Sequence, residues 1–388
     1  MGAKTSSTSS FEACLSAFQW IDRNVDLFIE DLIRICEVPA PTFREEKRGK
    51  FVASLFKNLG LAGRFDSVGN LIVPFCKNGS PHIVLSAHLD TVFSFEEIHV
   101  KREKGLLKAP GISDDSAGLA ALLHIARALK KSFPNLPGTL TFVATVGEEG
   151  LGNLRGVKHF FSEHAKHVDG FVSLDGCDAE RLVTTGPASK RSRLFLRGPG
   201  GHSWGDSGIA NPIHACGDLL SKINRYHLPK KPKTVINVGI IGGGTSVNAI
   251  PTEVFLDIDM RSESEDALRK IDQFVADTLA DITDRQPTLS SEIRVLGQRP
   301  SGRIATDHPL VQAALAASRQ MGLAAKLDVG STDSNIPFSL GIPALTVGVG
   351  GKSGKIHTPE EWLDPADIER GIKRTTLLIV ELLHTLHR

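Results

Sequence analysis

The sequence predicts an α/β fold split by an inserted α+β domain, and three observations lead to that reading. Short apolar runs alternate with segments of helical periodicity through the first half of the chain and again near its end. Between about residues 188 and 297 the order changes to strand, helix, two strands, helix and strand. Acids and histidines also recur where an apolar run gives way to a loop: His88-Leu89-Asp90, Asp114-Asp115, Glu148-Glu149, Asp175 and His357. A chain of 388 residues exceeds the size at which one core stops growing, so about two domains are expected.

MGAKTSSTSS is polar and small, and residues 1–10 read as a flexible tail without the apolar stretch of a secretory signal. From Phe11 to about Gly60 the pattern is helical. Ile29, Leu32, Ile33 and Ile35 form one apolar stretch, Pro39-Ala40-Pro41-Thr42 breaks it, and Phe51, Leu55, Phe56 and Leu59 resume it. Strands follow at 71–75 and 83–87, then a helix from about Ser116 to Lys131 and a strand at 139–146. A helix from about Leu154 to His164 precedes a strand at 170–174. This alternation indicates an α/β sheet covered on both faces, in which ligands sit at the carboxyl ends of the strands. His88, Glu148 and Asp175 fall at those ends.

Composition shifts after about Thr185. A strand at 191–196, the run Gly198-Pro199-Gly200-Gly201-His202, a helix around 212–226, strands at 234–241 and 252–261, a helix around 265–283 and a strand near 292–295 suit a small α+β insert. The α/β pattern then resumes with a helix over 308–321, strands at 325–329 and 344–347, and a closing helix from Pro365 to about Leu386. The first domain is thus expected as residues 1–187 and 298–388, and the insert as 188–297.

Lys and Arg number 45 against 44 Asp and Glu, a balance that argues against a general nucleic-acid or anionic-membrane surface. No apolar run approaches the roughly 18 residues of a membrane-spanning helix. Five cysteines without a CxxC pair read as buried thiols of a cytoplasmic protein. Cys177, two residues after Asp175, suits either a soft ligand or a small buried residue.

A carboxylate at the end of a buried strand is costly unless a cation compensates it. Several converging at one sheet edge leave a strongly negative pocket, most simply neutralised by two divalent ions, which outlines a two-metal hydrolase. In His88-Leu89-Asp90 the histidine and aspartate point to the same side of an extended chain. The imidazole suits zinc or a satisfied core position, and Asp90 can hold its tautomer. Asp114-Asp115 opens a helix, where acids serve as N-caps or where one carboxylate bridges two ions. Glu148-Glu149 allows one glutamate to bind metal while its neighbour takes a proton, although acidic pairs are also common on surfaces. The cluster His159, Glu163, His164 and His167 fits neither HExxH nor HxxEH and reads as a solvated helix face. Gly242-Gly243-Gly244-Thr245-Ser246 lacks the Gly-Lys-Ser/Thr ending of a phosphate loop.

Taken together, SAHLDTV, GISDDSAG, TVGEEGLGN, SLDG, GPGGHSWG, GTSVNAIP, DMRS and IHTPEEW resemble the M20 family of metallopeptidases and related amidohydrolases, over roughly residues 30 to 388. The nearest likeness is to its tripeptide aminopeptidase branch. The resemblance implies a split di-zinc exopeptidase-type catalytic domain with an inserted lid and dimerisation domain. It implies that His88, Asp114 and Asp175 hold one zinc, and that Asp114, Glu149 and His357 hold the other, with cobalt and manganese able to use the same ligands. Asp90 would orient His88, Glu148 would be the general base, and His202 would stabilise the oxyanion, in many members from a partner subunit. Asn248, Arg261 and the loop beginning at Ser331 match substrate contacts, and the Asp114–Asp115 peptide is often cis in relatives. Aspartate at position 175 is associated in the family with aminopeptidases, glutamate with carboxypeptidases and deacylases. The expected activity is therefore cleavage of a short peptide by metal-activated water, with a homodimer formed through the lid. A carboxypeptidase or N-acyl amino acid amidohydrolase is the nearest alternative, and a non-catalytic metal-binding protein the alternative from another class.

Overall fold

Near-continuous apolar runs suit strands buried on both faces, and His82–His88 shows why that matters here. Successive side chains of a strand point to opposite sides, yet every residue from Ile83 to His88 is buried. Both faces of the sheet are therefore covered at this strand, by elements that include the helices Ser116–Ser132 and Ile368–Thr385. The computed structural model describes residues 3–386, with side chains from Ser10 onward. It divides into two compact units, residues 1–186 with 302–388, and residues 187–301.

Across the nine-stranded sheet of the first unit run Arg64–Phe65, Leu71–Asn78, Gly138–Thr145, His82–His88, Gly170–Leu174, Ala344–Val347, Arg181–Gly186 and Gly302–Arg303. Lys326–Val329 pairs beside Arg181–Gly186. The four strands Gly138–Thr145, His82–His88, Gly170–Leu174 and Ala344–Val347 are parallel to one another. Register sets His88 against Thr145 and Ser86 against Ser173, so Asp175 follows its strand at the level of His88. Glu148 and Glu149 come just beyond Thr145. Three of the polar motifs thus leave the sheet at one edge, because parallel strands end on the same side.

Two buried arginines fasten loops near that edge. Arg48 donates to the carbonyls of Val38 at 2.8 Å, Leu89 at 3.0 Å and Cys36 at 3.3 Å. It joins the end of the helix Val25–Cys36, just before the Pro39–Thr42 break, to the segment carrying His88 and Asp90. Arg374, on the closing helix, donates to Ala179 and Gly348 at 3.2 and 2.5 Å.

The first helix, Ala3–Arg23, departs from the flexible tail expected over residues 1–10. Its backbone is helical from Ala3, while Met1 and Gly2 lie outside the described residues. Cys14, Ala17, Phe18 and Ile21 bury one face, and a helix nucleated by packing extends at little cost. A four-stranded sheet of Lys352–Gly354, Trp362–Asp364, Leu106–Lys108 and Lys101–Glu103 carries no sequence signal, since three-residue strands are too short to show a period. No helix among the described residues is long and apolar enough to cross a membrane.

The second unit is a four-stranded antiparallel sheet in the order Thr234–Gly243, Glu253–Ser262, Ala188–Arg197 and Ser290–Arg299. Helices Pro212–Arg225 and Glu265–Arg285 pack against it. Glu253–Ser262 alternates buried and part-exposed residues without a break. Val254, Leu256, Ile258 and Met260 meet Leu219, Leu268, Ile271, Val275 and Leu279 in its core. The opposite face carries cross-strand pairs: Arg193 grips Asp257 at 2.7 and 2.8 Å, and Arg197 reaches Glu253 at 2.6 Å.

His124 is fully buried in the first unit, with its ring 4.8 Å from Trp20 and 5.7 Å from Phe28. Burial, aided by the Arg127 charge, pushes it from 6.5 down to about 3. The unfolded chain therefore binds a proton that the folded chain refuses. Stability is complete above pH 6.5 and falls as pH drops toward 3, by up to about 1.4 kcal/mol per pH unit for this proton. Denaturant unfolding at pH 7 and pH 4.5 should show His124→Leu losing less on acidification than the native chain, by on the order of 2 kcal/mol. Equal losses would show that His124 does not carry this dependence.

Candidate metal centre

Four of the residues singled out in the sequence are in direct contact. His88 Nε2 lies 3.0 Å from Asp114 Oδ1, and His357 Nε2 lies 3.1 Å from Asp114 Oδ2 and 2.9 Å from Glu149 Oε1. Asp114 thus turns one oxygen to each imidazole. One donor atom each from His88, Asp114 and Glu149 fall within 4.8 Å of one another, close enough to share a metal ion.

Each member is placed by a different local cause. His88 ends its strand, and its Nδ1 lies 3.0 Å from the carbonyl oxygen of Asp90. That contact puts a proton on Nδ1 and leaves Nε2 to face Asp114. The His88 N–H donates to Asp115 Oδ2 at 2.9 Å, while Asp115 Oδ1 accepts from Gly118 N–H at 3.2 Å as the N-cap of Ser116–Ser132. The two aspartates have therefore divided between a helix cap and a site carboxylate, and the peptide joining them is cis. Gly147 turns the chain before Glu148 with φ of 64°, and a β-carbon there would fall 2.6 Å from Arg155 Cγ. His357 also holds a positive φ, 64°, a strained backbone for a side-chain-bearing residue and the kind of cost found at functional sites.

Asp90, expected to orient His88, has closer partners elsewhere. Its Oδ1 is 3.7 Å from His88 Nδ1, whereas its carboxylate accepts from Glu148 N–H at 2.9 Å, Glu149 N–H at 3.0 Å and Thr42 Oγ1 at 2.9 Å. Two backbone donors and a hydroxyl outbid the ring, and the tautomer of His88 is set by the Asp90 backbone.

The electrostatics are those of crowded acids. Burial, then repulsion by Asp114, pushes the Asp175 carboxyl up to about 8. Burial also pushes Glu149 up to about 7, against its bond to His357, and holds Asp115 well above the usual range. Asp114 is also opposed by burial, but its bonds to His357 and His88 outweigh that and hold it below the usual range. His357 is raised to about 10 by Asp114 and Glu149. In the absence of a metal, protons on the two histidines offset only part of that negative charge.

Ser331 is half-buried two residues before Asp333. Asp333 Oδ2 accepts from Thr145 Oγ1 at 2.6 Å, and burial together with the Glu148 charge pushes its carboxyl to about 7. His202, Asn248 and Arg261 belong to the second unit. There Gly201–His202 pairs with Ala249–Ile250, and Ser203 N–H donates to the Asn248 carbonyl at 3.0 Å, which makes His202 and Asn248 neighbours. His202 Nδ1 accepts from Trp204 N–H and Gly205 N–H, both at 3.2 Å, so a neutral ring carries its proton on Nε2. Arg261 Nε donates to Asp259 Oδ2 at 2.8 Å.

Two participants escaped the sequence reading. Thr42 lies in the segment read only as a helix break. Glu361, in Pro359-Glu360-Glu361-Trp362, is fully buried and accepts hydrogen bonds from the Gly111–Asp114 loop. It stands inside the IHTPEEW stretch, where only His357 is given a role. Cys177 is buried with its sulfur 4.0 Å from the Ser113 carbonyl oxygen, which favours the reading of a small packed residue, and all five cysteines are free.

The chain is similar to known proteins in sequence and in fold. The sequence model of peptidase family M20/M25/M40 matches residues 84–381. Succinyl-diaminopimelate desuccinylase of Wolinella succinogenes is 25% identical over 368 residues, 88% of this chain and 96% of its own. Among solved structures, a tripeptidase from Staphylococcus aureus shares the fold with a TM-score of 0.80 and 23% identity, covering 93% of this chain and 99% of that one. Aminopeptidase PepT from Bacillus cereus does so with a TM-score of 0.75 at the same identity and coverage.

Crowding makes a prediction for the metal-free chain. The Asp175 carboxyl titrates near 3.8 when unfolded and near 8 when folded, so its burden on stability is absent below pH 3.8 and grows until pH reaches about 8. Metal-free Asp175→Asn should therefore unfold at a higher temperature than the metal-free native chain at pH 8. A lower unfolding temperature would show that the carboxylate is compensated without a cation.

Proposed function

Because the chain belongs to peptidase family M20/M25/M40, we propose that it hydrolyses an amide bond of a short peptide or peptide-like substrate using two divalent metal ions. The observation that carries this reading is the position of Asp114, with one oxygen toward each of two imidazoles at 3.0 and 3.1 Å. The donors fit such ions: imidazole nitrogens and carboxylate oxygens suit zinc, and also cobalt or manganese. Crowded acids with raised pKa values are what a cation would relieve. His88, Asp114 and Asp175 would hold one ion and Asp114, Glu149 and His357 the other.

When bound, such ions acidify a coordinated water to a pKa of about 7 and polarise the scissile carbonyl. Glu148 takes the proton of the attacking water on its carboxylate and returns it to the leaving nitrogen. Its backbone is held by Asp90, which keeps the carboxylate beside the reacting atoms. The family resemblance gives His202 the task of stabilising the oxyanion, in many members from a partner subunit, and a ring protonated on Nε2 suits it as a donor. Asn248, Arg261 and Ser331 each match residues that contact substrate in the family.

Within that chemistry we favour an aminopeptidase, on the strength of aspartate at position 175. The desuccinylase likeness over 96% of that relative's length favours a second reading, hydrolysis of an N-acyl amino acid. Free thiols and the charge balance support a cytoplasmic protein without nucleic-acid or membrane partners, and we propose a homodimer formed through the second unit.

Metal-loaded protein should be assayed against di- and tripeptides that are free, amine-blocked or carboxylate-blocked. Cleavage of peptides with a free amine is expected; turnover of amine-blocked substrates alone would replace the aminopeptidase reading with the deacylase or carboxypeptidase one. Glu148→Gln should lower turnover by about 10²–10⁴-fold with metal content unchanged. A normal rate would remove Glu148 from proton transfer.

A further inference from the structure

We infer that Glu361 is a positioning residue that sets Asp114 against His357, acting through the backbone of the Gly111–Asp114 loop. The inference rests on the two-ion reading and concerns a residue outside the ligand set. Glu361 Oε1 accepts from Ser113 N–H at 2.8 Å, Ser113 Oγ at 2.6 Å and Asp114 N–H at 3.1 Å, and Oε2 accepts from Gly111 N–H at 2.9 Å. Its own carbonyl accepts from Ala109 N–H at 3.1 Å. Side chain and main chain together therefore hold residues 109–114.

A carboxylate is well matched to this task. Two oxygens with several lone pairs accept from four donors, whereas an amide would offer one oxygen and turn an NH₂ group toward N–H groups. A fully buried carboxylate is costly unless hydrogen-bonded, and here every donor named comes from one loop. That loop ends at Asp114, so the main chain is pinned within the very residue that carries the site carboxylate.

The other end of the connection is His357. Thr358 N–H donates to the Lys355 carbonyl and Glu361 N–H to the Thr358 carbonyl, both at 3.1 Å. Two consecutive tight turns thus link His357 to Glu361 over four residues. The segment 357–361 presents an imidazole to one oxygen of Asp114 and grips the Asp114 backbone with a carboxylate. Displacement of this segment would move both partners of the 3.1 Å contact together, which preserves their spacing.

A purely loop-closing role would change the stability of the chain and leave metal affinity of the folded protein alone. The discriminating measurement is Zn²⁺ affinity by competition with a chromophoric chelator. The visible spectrum of bound Co²⁺ and the thermal unfolding of the metal-free protein complete the set. Glu361→Gln should fold, bind Zn²⁺ about 10–100-fold more weakly, and alter the Co²⁺ spectrum. A folded Glu361→Gln with native affinity and spectrum overturns the inference. If that variant does not fold, Ser113→Ala removes one of the donors and keeps the carboxylate. It should weaken Zn²⁺ several-fold, and native affinity there overturns the inference too. A native chain that binds neither ion overturns the two-ion reading itself, and with it this inference. Native binding with unaffected variants overturns only the role of Glu361.

Discussion

The rest of the first unit is organised around like charges held together out of water. Asp90, Asp115, Glu148 and Glu149 are buried and Asp114 nearly so, at the edge where parallel strands end. Coulomb repulsion and lost hydration both oppose such a cluster. It is sustained by two imidazoles drawn between carboxylates and by backbone N–H groups aimed at Asp90 and Asp115.

Those N–H groups follow a pattern. The N–H of His88 goes to Asp115, those of Glu148 and Glu149 to Asp90, and that of Asp114 to Glu361. In each case a carboxylate outside the proposed ligand set holds the main chain of a residue at the centre. Hydrogen bonds from N–H groups to charged oxygens are stronger than those between neutral groups, and they fix a backbone without consuming the side chain that it carries. The second acidic shell adds repulsion, but it orders the first.

The second unit obeys simpler rules. Its sheet has one face against two helices, and Glu253–Ser262 alternates accordingly. The other face is tied by arginine–carboxylate pairs in register across strands, such as Arg193 with Asp257. Its helices and long strands were therefore plain in the periodicity, and the strands observed run only a few residues beyond those expected. The same holds in the first unit for Gly170–Leu174 and Ala344–Val347, whose bounds agree with the sequence reading. What escaped was short, as in the three-residue strands around Leu107 and Trp362, or polar, as in Arg181–Gly186. At the other extreme, residues 3–10 look unstructured by composition, yet their backbone belongs to the helix Ala3–Arg23.

By itself the sequence determined the α/β class with an α+β insert, the strand ends where polar residues concentrate, and the residue types able to hold a metal. Period, turn residues and the cost of burying charge are local properties that a sequence displays directly. Only the tertiary structure decided which oxygen of Asp114 faces which histidine, that Asp90 serves the glutamate backbone more than the His88 ring, and that Glu361 reaches a loop about 250 positions earlier. Such roles depend on which N–H points where, and that direction is set by strand register, by the turns at Gly147 and His357, and by helices packed on the sheet.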